Sequence, residues 1–126
     1  MSKLLFSSLS YKVLNVAFYV HNQLGPGLLE SIYHNAMMVE LKDRNISFCS
    51  QKAFPVVFKN QDLGCFYTDI VVEKKIIIEI KAVKALNETM EAQVINYLCL
   101  SKLQVGYLIN FRNTVLEWKR FYRGSS

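Results

Sequence analysis

The chain has 126 residues, 52% of them hydrophobic, 13% aromatic and 20% charged, with a net charge of +5. That is too much apolar material for a disordered chain and too little length for two independent cores, so a single domain over residues 1–126 is expected. No membrane span is expected either, since the longest apolar runs, such as Ile76-Ile77-Ile78, meet charge far short of the roughly 20 residues a spanning helix needs.

The opening Met1-Ser2-Lys3-Leu4-Leu5-Phe6 is apolar like a short signal, but it stops at Ser7-Ser8, Lys12 follows, and no small-x-small cleavage site appears. It reads as a mature N-terminus leading into a helix. Residues 10 to 23 carry Val13, Val16, Ala17 and Val20 near helical spacing, with Ser10 as candidate N-cap. Leu24-Gly25-Pro26-Gly27 ends that helix, and a second runs from about Leu28 to Arg44 with Asn45 as terminator. The pattern then turns to strands: Phe54 to Lys59, a turn at residues 60–64, and Cys65 to Val72. After the polar connection Glu73-Lys74-Lys75, Ile76 to Ala82 makes a third strand. Asn87 is placed to cap a helix from about Glu88 to Lys102. Val105 to Asn110 and Val115 to Tyr122 complete the set, joined by a turn at Arg112-Asn113. The order ααβββαββ predicts an α/β fold: an antiparallel meander, then a helical crossover, in a mixed sheet of about five strands with flanking helices.

Three cysteines, Cys49, Cys65 and Cys99, are an odd number without C-x-x-C spacing. They point away from a disulfide framework, a zinc site or an iron–sulfur cluster, and a reducing, cytoplasmic setting is expected. The positive charge is uneven. Lys102, Arg112, Lys119, Arg120 and Arg123 face the single acid Glu117 in the last 25 residues, so +4 of the +5 sits there. A basic end of this kind suits a polyanion, and it is also common on ordinary domains.

The stretch richest in chemistry runs from Thr68 to Lys81. Side chains alternate along a strand, so Ile76, Ile78 and Ile80 share one face while Ile77, Glu79 and Lys81 share the other. A Glu and a Lys on so apolar a strand are out of place for burial alone. If Val72 pairs with Ile76 across a three-residue loop, Asp69 falls directly opposite Glu79 on the same face. A two-residue loop would put Asp69 opposite Ile78 and destroy the pair. Two carboxylates so close repel each other, and a divalent cation such as Mg²⁺ relieves that repulsion by taking oxygens from both. A cross-strand cluster of Asp69, Glu79 and Lys81 with no catalytic role is the competing reading of the same spacing.

Asp69 followed, after nine intervening residues, by Glu79-Ile80-Lys81 resembles the D…E-x-K signature of the PD-(D/E)XK nuclease superfamily. Gly27-Leu28-Leu29-Glu30-Ser31-Ile32-Tyr33 resembles the G-x-x-E-x-x-Y motif that names the GxxExxY protein family of that superfamily. Val20-His21 with Leu24-Gly25, Gln93 with Asn96-Tyr97-Leu98, and Asn110-Phe111 fit the same pattern in order along nearly the whole chain. Thr68 stands where the superfamily name has proline, and Arg112 where a small residue is expected.

This resemblance implies a restriction-endonuclease-like core and a Mg²⁺- or Mn²⁺-dependent nuclease, with DNA the favoured substrate. It implies metal ligation by Asp69, Glu79 and the Ile80 carbonyl, with Glu30 completing the shell directly or through water. Lys81 would orient the attacking water, and Gln93 and Tyr97 would form a Q-x-x-x-Y element beside the site, as in RecB-type nucleases. Glu30 also has a plain reading as the N3 residue of a helix capped at Gly27. Lys119, Arg120 and Arg123 are candidate nucleic-acid contacts, against a solvated basic end as the alternative. His21 reads as structural, His34 as exposed, and Met37 and Met38 as core or interface fill. Beside the nuclease stand two other expectations: a catalytically silent module binding nucleic acid or protein, and a subunit of a larger assembly such as a homodimer.

Overall fold

A computed structural model of the protein describes residues 5–123, so the start of the apolar opening, residues 1–4, lies outside the described part. Three helices and five strands follow in the expected order: α1 (Ser7–Leu24), α2 (Glu30–Asp43), β1 (Phe48–Phe58), β2 (Gln61–Val72), β3 (Ile76–Lys81), α3 (Glu88–Ser101), β4 (Val105–Asn110) and β5 (Glu117–Tyr122). The strands form one mixed sheet in the order β1-β2-β3-β4-β5, antiparallel throughout except for the parallel pair β3–β4. The parallel step is the one bridged by α3, because parallel neighbours need a long crossover.

β3 and β4 lie in the middle of the sheet, and their side chains are buried on both faces up to Lys81, which is half-buried. On one face Ile70, Val72, Ile76, Ile78, Ile80, Val105, Tyr107 and Ile109 pack under α1 and α2, through Val13, Val16, Ala17, Val20, Tyr33, Met37 and Leu41. On the other face Val71 and Ile77 pack with Leu98 of α3. Gly106 lets α3 come close: a Cβ there would meet Val94 Cγ1 at 3.0 Å. Among the described residues no helix is long and apolar enough to cross a membrane.

Several local expectations are corrected. α1 begins at Ser7 rather than at Ser10, with Phe6 at the cap position and no side-chain cap. Ser10 lies inside the first turn, its N–H donating to the Phe6 carbonyl at 2.8 Å, because Leu5, Phe6 and Leu9 extend the apolar stripe toward the core. α2 begins at Glu30 with Leu29 at its cap, so Glu30 is the first helical residue and not the third. Gly27 (φ +86°) belongs to the connection, where its N–H donates to the Arg112 carbonyl. β1 begins six residues before the predicted Phe54, pairing from Phe48↔Val72 onward. The Asn87 cap is present, its side chain accepting the Met90 N–H at 2.9 Å.

Candidate active site

The connection between β2 and β3 sets the site. Glu73 and Lys74 both have positive φ (49° and 58°), the mirror-image geometry that suits the twist of a hairpin. The Lys75 N–H donates to the Val72 carbonyl, and Val72 then pairs with Ile76, Val71 with Ile77 and Ile70 with Ile78. One step further along this register Asp69 stands opposite Glu79, and there the ladder of backbone bonds stops.

The two carboxylates take over where the backbone carbonyls leave off. The Asp69 N–H donates to Glu79 Oε2 at 2.9 Å, and the Ile80 N–H donates to Asp69 Oδ2 at 2.7 Å. Each acid thus binds a backbone N–H of the opposite strand, which holds both at fixed positions. The far side of Asp69 is opened as well. Gln51, which the β1–β2 register would set beside it, has φ +51° and is skipped by the ladder. At that point the β1–β2 ribbon bends: Phe48 packs toward α1 and α2, whereas Phe54 packs on the α3 side.

Burial decides the electrostatics. Glu79 is 4% exposed, and its carboxyl is pushed up to about 8, first by desolvation and next by the charge of Asp69. Lys81, two residues on and half-buried, pulls it the other way but too weakly to offset burial.

α3 supplies the wall. Tyr97 stacks on Phe66 (centroids 4.4 Å apart, planes 7° apart), and Phe66 in turn on Phe54 at 5.3 Å. The Tyr97 hydroxyl is raised above its usual range by burial and then by the charges of Glu79 and Asp69, while a hydrogen bond with the exposed Gln93 works against this. Asp69, Glu79, Lys81, Tyr97 and Gln93 are therefore neighbours, brought together by β2, β3 and α3.

The remaining candidates are placed differently. Glu30 is exposed at the first residue of α2, and no group of three or more His, Cys, Asp or Glu side chains arranged for a metal ion occurs among the described residues. The other two motif residues have clear structural work. Tyr33 is fully buried, stacks on Phe111 at 4.8 Å, donates to the Gly25 carbonyl at 2.6 Å and accepts the Leu28 N–H at 3.1 Å. Together with the Gly27–Arg112 bond, this sets the start of α2 at the end of the sheet where β3 and β4 finish.

Lys119, Arg120 and Arg123 do not form one patch. Lys119 lies in the cross-sheet row Glu79–Leu108–Lys119 and pairs with Glu91 of α3 at 2.7 Å. Arg120 points to the other face and donates to the Leu5 carbonyl, and Arg123 donates to the Lys102 carbonyl at 3.4 Å. His21 is buried against the Asn113 carbonyl at 2.7 Å, a structural role as expected. His34 is half-buried beside Ser50 (3.1 Å) rather than exposed.

Two features of the site had little or no signal in the sequence. Gln51 adopts positive φ without being Gly, Asn or Asp, and so gave none. Asn110 is buried next to Lys81 with its amide fully bonded, and its sequence carries no signal beyond its place beside Phe111 in the family-like pattern.

Comparison with known proteins bears on the family and the fold. Residues 7–121 match the family model of the PD-(D/E)XK nuclease superfamily. The solved structure of SSO0001 superposes with a TM-score of 0.58 at 16% identity, covering 98% of this chain, which shows likeness of fold. The chain spans 63% of the length of that protein. A search of curated proteins finds no significant match.

Proposed function

The chain belongs to the PD-(D/E)XK nuclease superfamily, and from that premise we propose that it is a divalent-metal-dependent nuclease that hydrolyses phosphodiester bonds, with DNA as its substrate, and a member of the GxxExxY family. One observation carries the reading: two carboxylates from adjacent strands, cross-braced by opposing backbone N–H groups, with a lysine at the end of the same strand. A non-catalytic strand pair gains nothing from holding two acids together in a place that drives one carboxyl up to about 8.

A divalent cation suits this donor set. Asp69 and Glu79 each accept one backbone N–H, and their carboxyls also meet in a side-chain hydrogen bond, which bonds from both to a cation would replace. The N–H and C=O of a strand residue point to the same neighbour. Ile80 aims its N–H at Asp69, so its carbonyl faces the same gap and would serve as a third ligand. Two carboxylates, a carbonyl and several waters suit Mg²⁺ or Mn²⁺, and Glu30 would act through one of those waters. The bound ion supplies Lewis acidity, a lowered water pKa and neutralisation of phosphate charge.

The chain's own groups do the rest. The Lys81 ammonium carries three donors and no acceptor, so it holds an attacking water or a phosphate oxygen beside the acid pair. Gln93 and Tyr97 line the α3 side, with the Tyr97 ring fixed by its stack and its hydroxyl kept protonated near the two acids. Lys119 lies in the same cross-sheet row as Glu79 and would contact the nucleic-acid backbone, with Arg123 at the periphery, whereas Arg120 is turned to the other face of the sheet.

The test is cleavage of labelled single-stranded DNA, duplex DNA and RNA with Mg²⁺ or Mn²⁺. Wild type is expected to cut DNA only with metal present, and Asp69→Ala and Lys81→Ala to lose about 100-fold or more, the scale of removing a preorganised charge-stabilising group. A wild type that cuts nothing, or variants that cut equally well, would refute the enzyme and leave a binding module.

A further inference from the structure

We infer that Asn110 is a positioning residue of the site, whose side-chain amide clamps the chain just beyond Lys81 and thereby fixes where the Lys81 ammonium stands relative to Asp69 and Glu79. The inference rests on the role proposed for Lys81 and extends it to a residue outside the acidic set.

Asn110 is the last residue of β4 and pairs directly with Lys81, the last residue of the parallel neighbour β3. It is fully buried, and a buried amide in a sheet is tolerated only when its polar atoms are bonded. All four of its bonding positions are filled. Oδ1 accepts the N–H of Val83 at 3.0 Å and that of Arg112 at 3.3 Å. Nδ2 donates to the Val83 carbonyl at 2.8 Å and to Glu117 Oε1 at 3.0 Å. The same amide thus grips both the donor and the acceptor of Val83, two residues past Lys81.

The preceding step is pinned as well, since the Phe111 N–H donates to the Lys81 carbonyl at 2.9 Å. Residues 110 and 111 together bracket the chain from Lys81 to Val83, at the point where β3 ends and the sheet no longer dictates its path. Without the bracket, Lys81 would stand on the fraying end of a strand. Glu117, the partner of Asn110 on β5, orients the amide: its carboxylate accepts only from Nδ2, so a flipped amide would set Oδ1 against it. Asn110 touches neither acid of the pair. It acts through the backbone of Lys81, on the rate of a reaction that depends on the placement of that ammonium.

Asn110→Ala is expected to lower kcat for metal-dependent cleavage about 10- to 100-fold with KM little changed, as for a sub-ångström to ångström misplacement of a catalytic group. The backbone order parameter of Lys81, measured by ¹⁵N relaxation, should fall from the rigid range near 0.85 toward 0.6, while that of Glu79 stays rigid. A folded Asn110→Ala protein with wild-type kcat, or with Lys81 as rigid as in wild type, would overturn the inference. If Asn110→Ala fails to fold, Glu117→Gln keeps the oxygen that accepts from Nδ2 but lets the amide flip, and Glu117→Ala removes the bond that orients it. Glu117→Ala should lower kcat several-fold at constant KM, and no change would count equally against the inference. If wild type itself cuts nothing, the proposed function fails on its own account, and the order parameter of Lys81 still decides whether Asn110 holds it.

Discussion

Glu79 ties the folding equilibrium of this protein to pH. Its carboxyl is held near 8 by burial and by Asp69, against a usual value of about 4.5 when the chain is unfolded. Between those values the folded state keeps a proton that the unfolded state releases, so stability falls as pH rises through the window. The contribution is fully present below about 4.5 and lost above about 8, on the order of a few kcal/mol across the range. In metal-free buffer the melting temperature should therefore drop by about 5–10 °C between pH 5.5 and pH 8. Glu79→Gln, which mimics the protonated acid, should flatten that dependence and raise stability at pH 8. A wild-type profile as flat as that of Glu79→Gln would mean that the acid pair is not desolvated as described.

Elements differ in how far their sequence determines them. The alignment of Asp69 with Glu79 follows from the length of one connection, because side-chain alternation and a three-residue loop leave a single register. Helix starts were less legible. Ser10 and Gly27 are good cap residues by type, yet apolar contacts made by Leu5, Phe6 and Leu9 outweighed the cap at α1, and Gly27 serves a turn instead. The first half of β1, Cys49-Ser50-Gln51-Lys52, lacks the β-branched pattern of a strand and is held there by pairing with the strongly apolar end of β2. At the start of α2 the glycine and tyrosine of the G-x-x-E-x-x-Y motif do structural work, and the hydroxyl of Tyr33 is the test. Tyr33→Phe keeps the ring against Phe111 but removes the bonds to Gly25 and Leu28. It should cost about 1–3 kcal/mol in urea denaturation, since the Gly25 carbonyl and the Leu28 N–H each lose a partner. A loss under about 0.5 kcal/mol would place the joint between α1 and α2 elsewhere, in the bond from Gly27 to Arg112.

At the scale of the molecule, a metal ion held by the acid pair would join binding and folding in one equilibrium. Asp69 and Glu79 come from separate strands and meet only in the folded sheet, so an ion held by both stabilises the native state without stabilising the unfolded chain to the same degree. At 100 times its dissociation constant such an ion adds about 2.7 kcal/mol. The size of the effect must depend on pH, because binding has to displace the proton that burial keeps on Glu79. Metal-free stability is thus expected to fall toward pH 8 while the metal-dependent gain grows, so that melting curves with and without Mn²⁺ separate most where the metal-free protein is weakest. Thermal melts at pH 6 and pH 8, with and without Mn²⁺ or Mg²⁺, read this directly and require no substrate. Asp69→Asn and Glu79→Gln should both remove the gain, and Glu30→Gln should reduce it only in part if that side chain acts through water. A gain equal at both pH values, or one that survives Asp69→Asn, would place the bound ion outside the pair of strands that the rest of the site is built around.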